Sequence, residues 1–240
     1  MIKVYQNIRQ AKNTEEKLQA VLIDPDKMLI ENLSSFIDKV NRSIITHIFV
    51  GGSTVKENMM PEFVSEIKTH TELPVVIFPG DESQITDVAD GLLFLSLISG
   101  RNPEYLIEKQ IKAVSKLRET DLEIIPTGYI LIDSGNETSV QRVSGTQALS
   151  QNNTQHILDT AKAGELLGMK LIYLEAGSGA LNRVNNKIIS KVKKDLAIPV
   201  IVGGGIKNKK QLMETYQSGA DLVVIGTAFE DDESFFNDLL

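Results

Sequence analysis

The sequence predicts an α/β protein, a TIM (β/α)8 barrel with a degenerate or missing third helix, and three observations carry that expectation. Eight short apolar segments alternate with turns and helix-period segments, part of the chain repeats itself, and glycine clusters follow the last two apolar segments. Such alternation is the signature of βα units in a parallel sheet. The 240 residues match the length of one barrel, and no interior linker or charge block divides them, so one domain over 1–240 is expected.

In chain order the expected strands are 18–23, 45–50, 75–78, 91–95, 122–125, 171–174, 200–202 and 222–225. Most are apolar throughout rather than alternating, so both faces of the sheet must be covered. Between the first two, Leu33, Phe36, Ile37 and Val40 fall at i, i+3, i+4 and i+7, which makes one buried helix stripe. Asn102 can cap a further helix with Pro103 at its first position, and Ile107, Ile111, Val114 and Leu117 are expected to face inward. Another helix ends near Gly168. The repeat pairs LPVVIFPG and VADGLLFLS with IPVIVGGG and GADLVVIGT. Sixteen residues lead from Gly205 to Asp221 but only ten from Gly80 to Asp90, too few for a full helix and its turns. A polar segment, 129–153, interrupts the alternation after the fifth strand, and loops of that length in compact domains usually serve function.

Composition removes several function classes. With no cysteine in the chain, disulfides, thiolate metal sites and thiol redox chemistry are excluded. The N-terminal residues are polar, and no stretch reaches the ~20 apolar residues of a membrane span, so a cytoplasmic protein is expected. A net charge of −7 argues against nucleic acid as a partner, because phosphate backbones demand clustered Lys and Arg. His47, His70 and His156 lie away from the C-terminal ends of strands and read as structural or surface residues. No spacing of the zinc-hydrolase kind exists.

Residues able to carry chemistry sit after the strands. Gly203-Gly204-Gly205 and Gly226-Thr227 follow strands seven and eight, where this fold builds a phosphate site, and glycine lets backbone N–H groups approach an anion. After strand six, YLEAGSGA offers Glu175 as a general base beside a Gly-Ser-Gly loop. A structural carboxylate paired with a lysine is the plainer reading of Glu175, and a core residue that of Tyr173. LIDPDK follows strand one. There Asp24 is the candidate Mg²⁺ ligand, because that ion uses one or two carboxylates together with substrate phosphate oxygens. Asp26 reads equally as part of a turn or helix cap. Ser53, in VGGST, can give a hydroxyl to the same ion.

Eight motifs in order along the chain, LIDPDK, VGGST, FPG, SGRNPEYLI, IPTGYILID, YLEAGSGA, IVGGGI and VIGTA, resemble the geranylgeranylglyceryl phosphate synthase family. Members are TIM barrels with a missing or modified third helix, which the short segment 80–90 matches. The resemblance implies Mg²⁺-dependent transfer of a prenyl group, geranylgeranyl above all, from its diphosphate to the 3-hydroxyl of sn-glycerol 1-phosphate. On that basis Asp24 and Ser53 match the magnesium positions and Glu175 the base. Tyr173, Leu174, Glu175, Ala176, Gly177, Ser178 and Gly179, with Gly204, Gly205, Gly226 and Thr227, match the segments holding glycerol 1-phosphate. Tyr129 and Ile130 are expected in a groove for the hydrocarbon chain. Thr146-Gln147-Ala148-Leu149-Ser150 departs from the family pattern, which has a proline-containing stretch there. A homo-oligomer is expected, with at most transient membrane contact through the lipid-like substrate. Two other readings compete: a phosphosugar isomerase or cyclase barrel of amino-acid biosynthesis, and a non-catalytic barrel that binds a phosphorylated metabolite.

Overall fold

The structure is a computed structural model that describes residues 3–53, 55, 59–231 and 235–236. Its eight parallel strands close into a barrel in chain order: β1 Leu18–Ile23, β2 His47–Val50, β3 Val75–Ile77, β4 Gly91–Leu97, β5 Glu123–Leu131, β6 Leu171–Glu175, β7 Val200–Gly203 and β8 Leu222–Ile225. The helices are α1 Val4–Thr14, α2 Ile30–Arg42, α3 Met59–Thr69, α4 Lys109–Leu117, α5 Ser139–Ser144, α6 Thr154–Leu166, α7 Asn186–Asp195, α8 Lys209–Gln217 and α9 Thr227–Asp231. None of them is long and apolar enough to cross a membrane. Every expected strand forms, β1 and β8 with the expected ends and the other six with shifted ones. The largest shift is in β5, which runs on through Tyr129 to Leu131 and so takes the start of the segment expected to be irregular.

Alternation along the strands sorts side chains into two layers. Phe49, Val76, Leu93, Ile125, Leu171, Ile201 and Leu222 point into the barrel. Val21, Ile48, Val75, Leu92, Ile172, Val200 and Val223 point out to the helices, where Leu33, Phe36, Ile37 and Val40 of α2 meet them as their spacing predicts. The polar N-terminus hides one more element. Val4, Ile8 and Ala11 of α1 share one helix face and are buried among the inward residues at the strands' N-terminal ends, so α1 plugs the bottom of the barrel. Burying Val4 and Ile8 contributes roughly 1.5–3 kcal/mol each.

Between β3 and β4 only one 3-10 turn, Glu82–Gln84, stands where the other units carry a helix. The degenerate third helix is therefore a feature of the fold. The expectation for the helix opened by Asn102 needs correction. Asn102 does cap it, its Oδ1 accepting from Glu104 N at 3.1 Å. But Ile107, Ile111 and Val114 are 52%, 59% and 36% exposed; Leu117 faces the core as expected, and Ala113 joins it there. The first turn, Glu104–Glu108, is π-helical. Its wider turn and the small Ala113 bring the other face of the helix against the barrel.

Candidate active site

The C-terminal ends of the strands open into a cavity of ≈ 610 Å³ that gathers the loops after β1, β2, β5, β6, β7 and β8. Asp24 and Ser53 line one side; Glu175, Gly177, Ser178, Gly179, Gly204, Gly205, Gly226 and Thr227 line the other, with Tyr129 and Tyr173 at the floor. Leu174 and Ala176 do not reach it. A strand alternates, so as Tyr173 and Glu175 point in, the side chains of Leu174 and Ala176 are buried against the helices. Ile130 faces outward beside Tyr129 for the same reason, which removes it from the cavity wall.

Glu175 is the buried charge at the centre. It is 6% exposed, its Oε1 accepts from Gly177 N at 2.6 Å, and the Tyr173 hydroxyl donates to the carboxylate. Burial pushes its pKa up, while those two donors pull the other way and lose. The same burial, and next the Glu175 charge, hold the Tyr129 and Tyr173 hydroxyls protonated well above the ordinary tyrosine range. No lysine pairs with Glu175 among the described residues, so the plainer structural reading finds no partner here. Phe78, Tyr129 and Tyr173 pack ring to ring at 5.3–5.9 Å and seal the carboxylate from below.

Opposite Glu175, backbone dominates. Gly204 has φ +82°, and a Cβ there would stand 2.5 Å from Glu175 Oε1 and 2.6 Å from Gly177 N, so only glycine lets the loops after β6 and β7 close up. The Ser178 and Thr227 hydroxyls meet at 3.0 Å and tie the loop after β6 to the end of β8. Gly177, Gly179, Gly204, Gly205 and Gly226 and these two hydroxyls line this side of the cavity together. Lys207 is its neighbouring cation.

Across the mouth Asp24 begins a turn: its Oδ1 accepts from Asp26 N at 3.1 Å, and its carbonyl accepts from Lys27 N and Met28 N at 3.0 Å. Asp26 thus serves the turn by its backbone. A Cβ on Gly52 would stand 2.8 Å from Asp24 Oδ1, so that glycine keeps the carboxylate clear. Lys27 Nζ lies 3.8 Å from Asp24 Oδ2. For a magnesium ion the donors present are hard oxygens, one carboxylate and one hydroxyl, which fits an ion that completes its shell with water and phosphate. Among the described residues no cluster of three or more metal-binding side chains exists that would hold an ion without a substrate. Thr54, which ends the VGGST motif, lies outside the described residues.

An apolar groove leaves the cavity through the gap where the third helix is absent. Phe78, Tyr129, Val140, Gly52 and Ser53 belong to both spaces, and Ile85, Leu92, Phe94, Leu95, Leu97 and Ala113 line the groove. At its rim Lys109 Nζ donates to Asp81 Oδ2 at 2.7 Å and to the Gly80 carbonyl at 3.1 Å. Burial alone would raise the Asp81 pKa, but Lys109 and the Ser83 N–H outweigh it and hold it at about 2. This latch was missed in the sequence, since nothing in two residues 28 positions apart announces a contact. Above the mouth, α5 carries a capping box on Thr138 and presents Ser139 and Val140 to the cavity, so part of the polar segment after β5 forms a wall.

A family model described as the PcrB family matches residues 11–239. The geranylgeranylglyceryl phosphate synthase of Zunongwangia profunda is 58% identical over 97% of this chain and 99% of its own length. That of Flavobacterium johnsoniae is 55% identical over 98% and 96%. The chain belongs to the geranylgeranylglyceryl phosphate synthase (PcrB) family. Membership makes it a prenyltransferase. A crystal structure of the (S)-3-O-geranylgeranylglyceryl phosphate synthase of Thermoplasma acidophilum, in complex with its substrate sn-glycerol 1-phosphate, superposes with a TM-score of 0.93 at 33% identity, covering 100% of this chain and 96% of that one. The family frame agrees with the fold, degenerate third helix included. A thiamine phosphate pyrophosphorylase from Pyrococcus furiosus, 17% identical with a TM-score of 0.59, shares the barrel alone.

Proposed function

We propose that this prenyltransferase joins a prenyl group, geranylgeranyl above all, to the 3-hydroxyl of sn-glycerol 1-phosphate and releases diphosphate, with Mg²⁺ as cofactor. The observation that carries this reading is one cavity holding three unlike parts: a backbone cradle for a phosphate, a buried carboxylate, and an apolar groove starting beside Asp24.

The loops after β6, β7 and β8 grip the glycerol phosphate through Gly177, Ser178, Gly179, Gly204, Gly205, Gly226 and Thr227. Held there, the acceptor hydroxyl reaches Glu175, which takes its proton as the oxygen bonds to the allylic carbon and the carbon–diphosphate bond breaks. Positioning removes the entropy of bringing two substrates together. Asp24 and Ser53 would hold the Mg²⁺, which when bound supplies positive charge for the departing diphosphate. Lys27 adds a cation on the same side. The groove takes the hydrocarbon chain, each buried CH₂ contributing about 0.8 kcal/mol, and the Tyr129, Tyr173 and Phe78 rings keep water from the reacting carbon.

A phosphosugar isomerase or cyclase would leave the groove without a use, and no feature of the site favours it. A barrel that merely binds a phosphorylated metabolite would need no buried base. The test supplies purified protein with Mg²⁺, sn-glycerol 1-phosphate and prenyl diphosphates of graded length, and identifies products by mass spectrometry. A prenylglyceryl phosphate is expected. If no donor gives an ether product, the reading fails.

A further inference from the structure

The turn that stands in for the third helix carries a buried amide that neither the apolar core nor the proposed reaction accounts for. Gln84 ends the 3-10 turn Glu82–Gln84 and is 2% exposed. A polar side chain at that depth must find partners, and both of its ends do. Its Oε1 accepts from Gly80 N at 3.2 Å, and its Nε2 donates to the Gly52 carbonyl at 3.0 Å. One partner is a donor and the other an acceptor, so the amide has a single orientation that satisfies both.

The two partners belong to different loops. Gly80 follows β3 and, with Asp81, Glu82 and Ile85, walls the apolar groove. Gly52 follows β2, stands next to Ser53, and leaves the Asp24 carboxylate clear because it has no Cβ. Backbone lies on backbone where these loops meet: a Cβ on Gly80 would collide with the Gly52 carbonyl oxygen, and one on Gly51 with that of Phe78. Glycine lets the loops touch, and Gln84 ties them. Behind the turn, Lys109 donates to the Gly80 carbonyl and to Asp81, so the turn is itself anchored to the helix that flanks the groove.

We propose that Gln84 is a positioning residue for the prenyl donor: it locks the loop that bears Ser53 to the turn that walls the groove. The two ends of the donor, diphosphate and hydrocarbon, are then received by one rigid unit. This rests on the reading that diphosphate and Mg²⁺ lie at Asp24 and Ser53. Without the tie the Gly52 carbonyl loses its donor and Ser53 its fixed place. The glycine loops after β6, β7 and β8, on the opposite side of the mouth, share no hydrogen bond with the Gln84 side chain among the described residues.

Calorimetric titration tests the two sides separately and without turnover. Inorganic diphosphate with saturating Mg²⁺ is titrated into protein already filled with sn-glycerol 1-phosphate, and sn-glycerol 1-phosphate is titrated by itself. Gln84→Met keeps the length of the side chain and removes both hydrogen bonds. It should weaken magnesium diphosphate roughly tenfold, the scale of one to two hydrogen bonds, and leave glycerol phosphate binding unchanged. In turnover KM for the prenyl diphosphate should rise by a like factor while KM for glycerol phosphate holds. Gln84→Asn, one methylene too short to span both groups, is gentler on the fold and should weaken magnesium diphosphate about threefold. A merely structural role would lower the affinity for both probes alike, and that result overturns the proposal. So does parent affinity for magnesium diphosphate in either variant. If the unmodified chain binds diphosphate no better with Mg²⁺ than without it, the ion site fails first and the proposal falls with it.

Discussion

The β3–β4 and β7–β8 units share one frame and differ in what joins their strands. In both, an aspartate just before the second strand ties back to the start of the first. Asp90 Oδ2 accepts from Val75 N at 2.8 Å and Asp221 Oδ2 from Val200 N at 2.9 Å. A lysine of the preceding helix pairs with each, Lys68 with Asp90 at 2.6 Å and Lys193 with Asp221 at 2.5 Å. The Ala-Asp repeat in the sequence is thus a repeat of geometry. Yet one unit has α8 between its strands and closes a tight glycine cradle, whereas the other has a single 3-10 turn and opens a groove. The lesson is that the same motif closes a tight glycine turn or opens an apolar groove according to whether one helix is kept or deleted.

Disabling each side in turn is the strongest way to break this contrast. Glu175→Gln removes the proposed base of the cradle side and should lower kcat by about 10²–10⁴-fold. Asp24→Asn disables the groove side and should cost at least as much, because charge on the leaving diphosphate is the larger problem. Steady-state kinetics with both substrates varied will separate them, with the Asp24 effect depending on Mg²⁺ concentration. Full activity in Asp24→Asn would remove the proposed ion site. Glu175→Gln also has a stability signature. A carboxyl whose folded pKa is raised stabilises the fold below its unfolded value and loses that contribution as pH rises through the folded one. Melting temperature should therefore rise in Glu175→Gln at neutral pH and match the parent in acid.

The frame itself should fail unequally. Asp221 is almost fully buried and Asp90 less so, their side chains 2% and 13% exposed. Asp221→Ala leaves the buried Val200 N–H unpaired and takes the partner from Lys193, and should cost about 3 kcal/mol, against about 1.5 kcal/mol for Asp90→Ala. Urea titrations will compare them, and equal losses would mean that the two units are anchored alike. Filling the groove should be smaller and selective. Ala113→Leu places a larger side chain in the slot, so KM for long prenyl diphosphates should rise about tenfold while short donors are unaffected. A uniform change would show that the chain lies elsewhere.

Much of the fold was legible in the sequence because strands buried on both faces are uninterrupted apolar runs, and the glycine clusters after β7 and β8 do lie in loops that line the cavity. The missing helix could be read from the ten residues between Gly80 and Asp90. Four features were not legible, each for a physical reason. α1 hides because Val4, Ile8 and Ala11 form a narrow stripe among polar residues, which suffices to plug a barrel end. The outward turn of Ile107, Ile111 and Val114 goes against the rule that apolar stripes face the core. Leu174 and Ala176 were swept up with a motif that a strand divides between two faces. Lys109 and Asp81 meet only because the chain folds.

Tyr173 gives the smallest effect and the sharpest reading of Glu175. Its hydroxyl donates to the carboxylate and favours the ionised form, partly offsetting the burial that raises the pKa. Tyr173→Phe keeps the ring against Phe78 and Tyr129 but deletes that donor, so protonated Glu175 gains relative to the anion. A base must be ionised to accept a proton, so the acid limb of the kcat/KM profile should move to higher pH, with the alkaline plateau little changed. Direction matters more than size here. A limb that moved to lower pH would mean that the hydroxyl opposes ionisation, and a limb that stayed put would mean that the titrating base is another group.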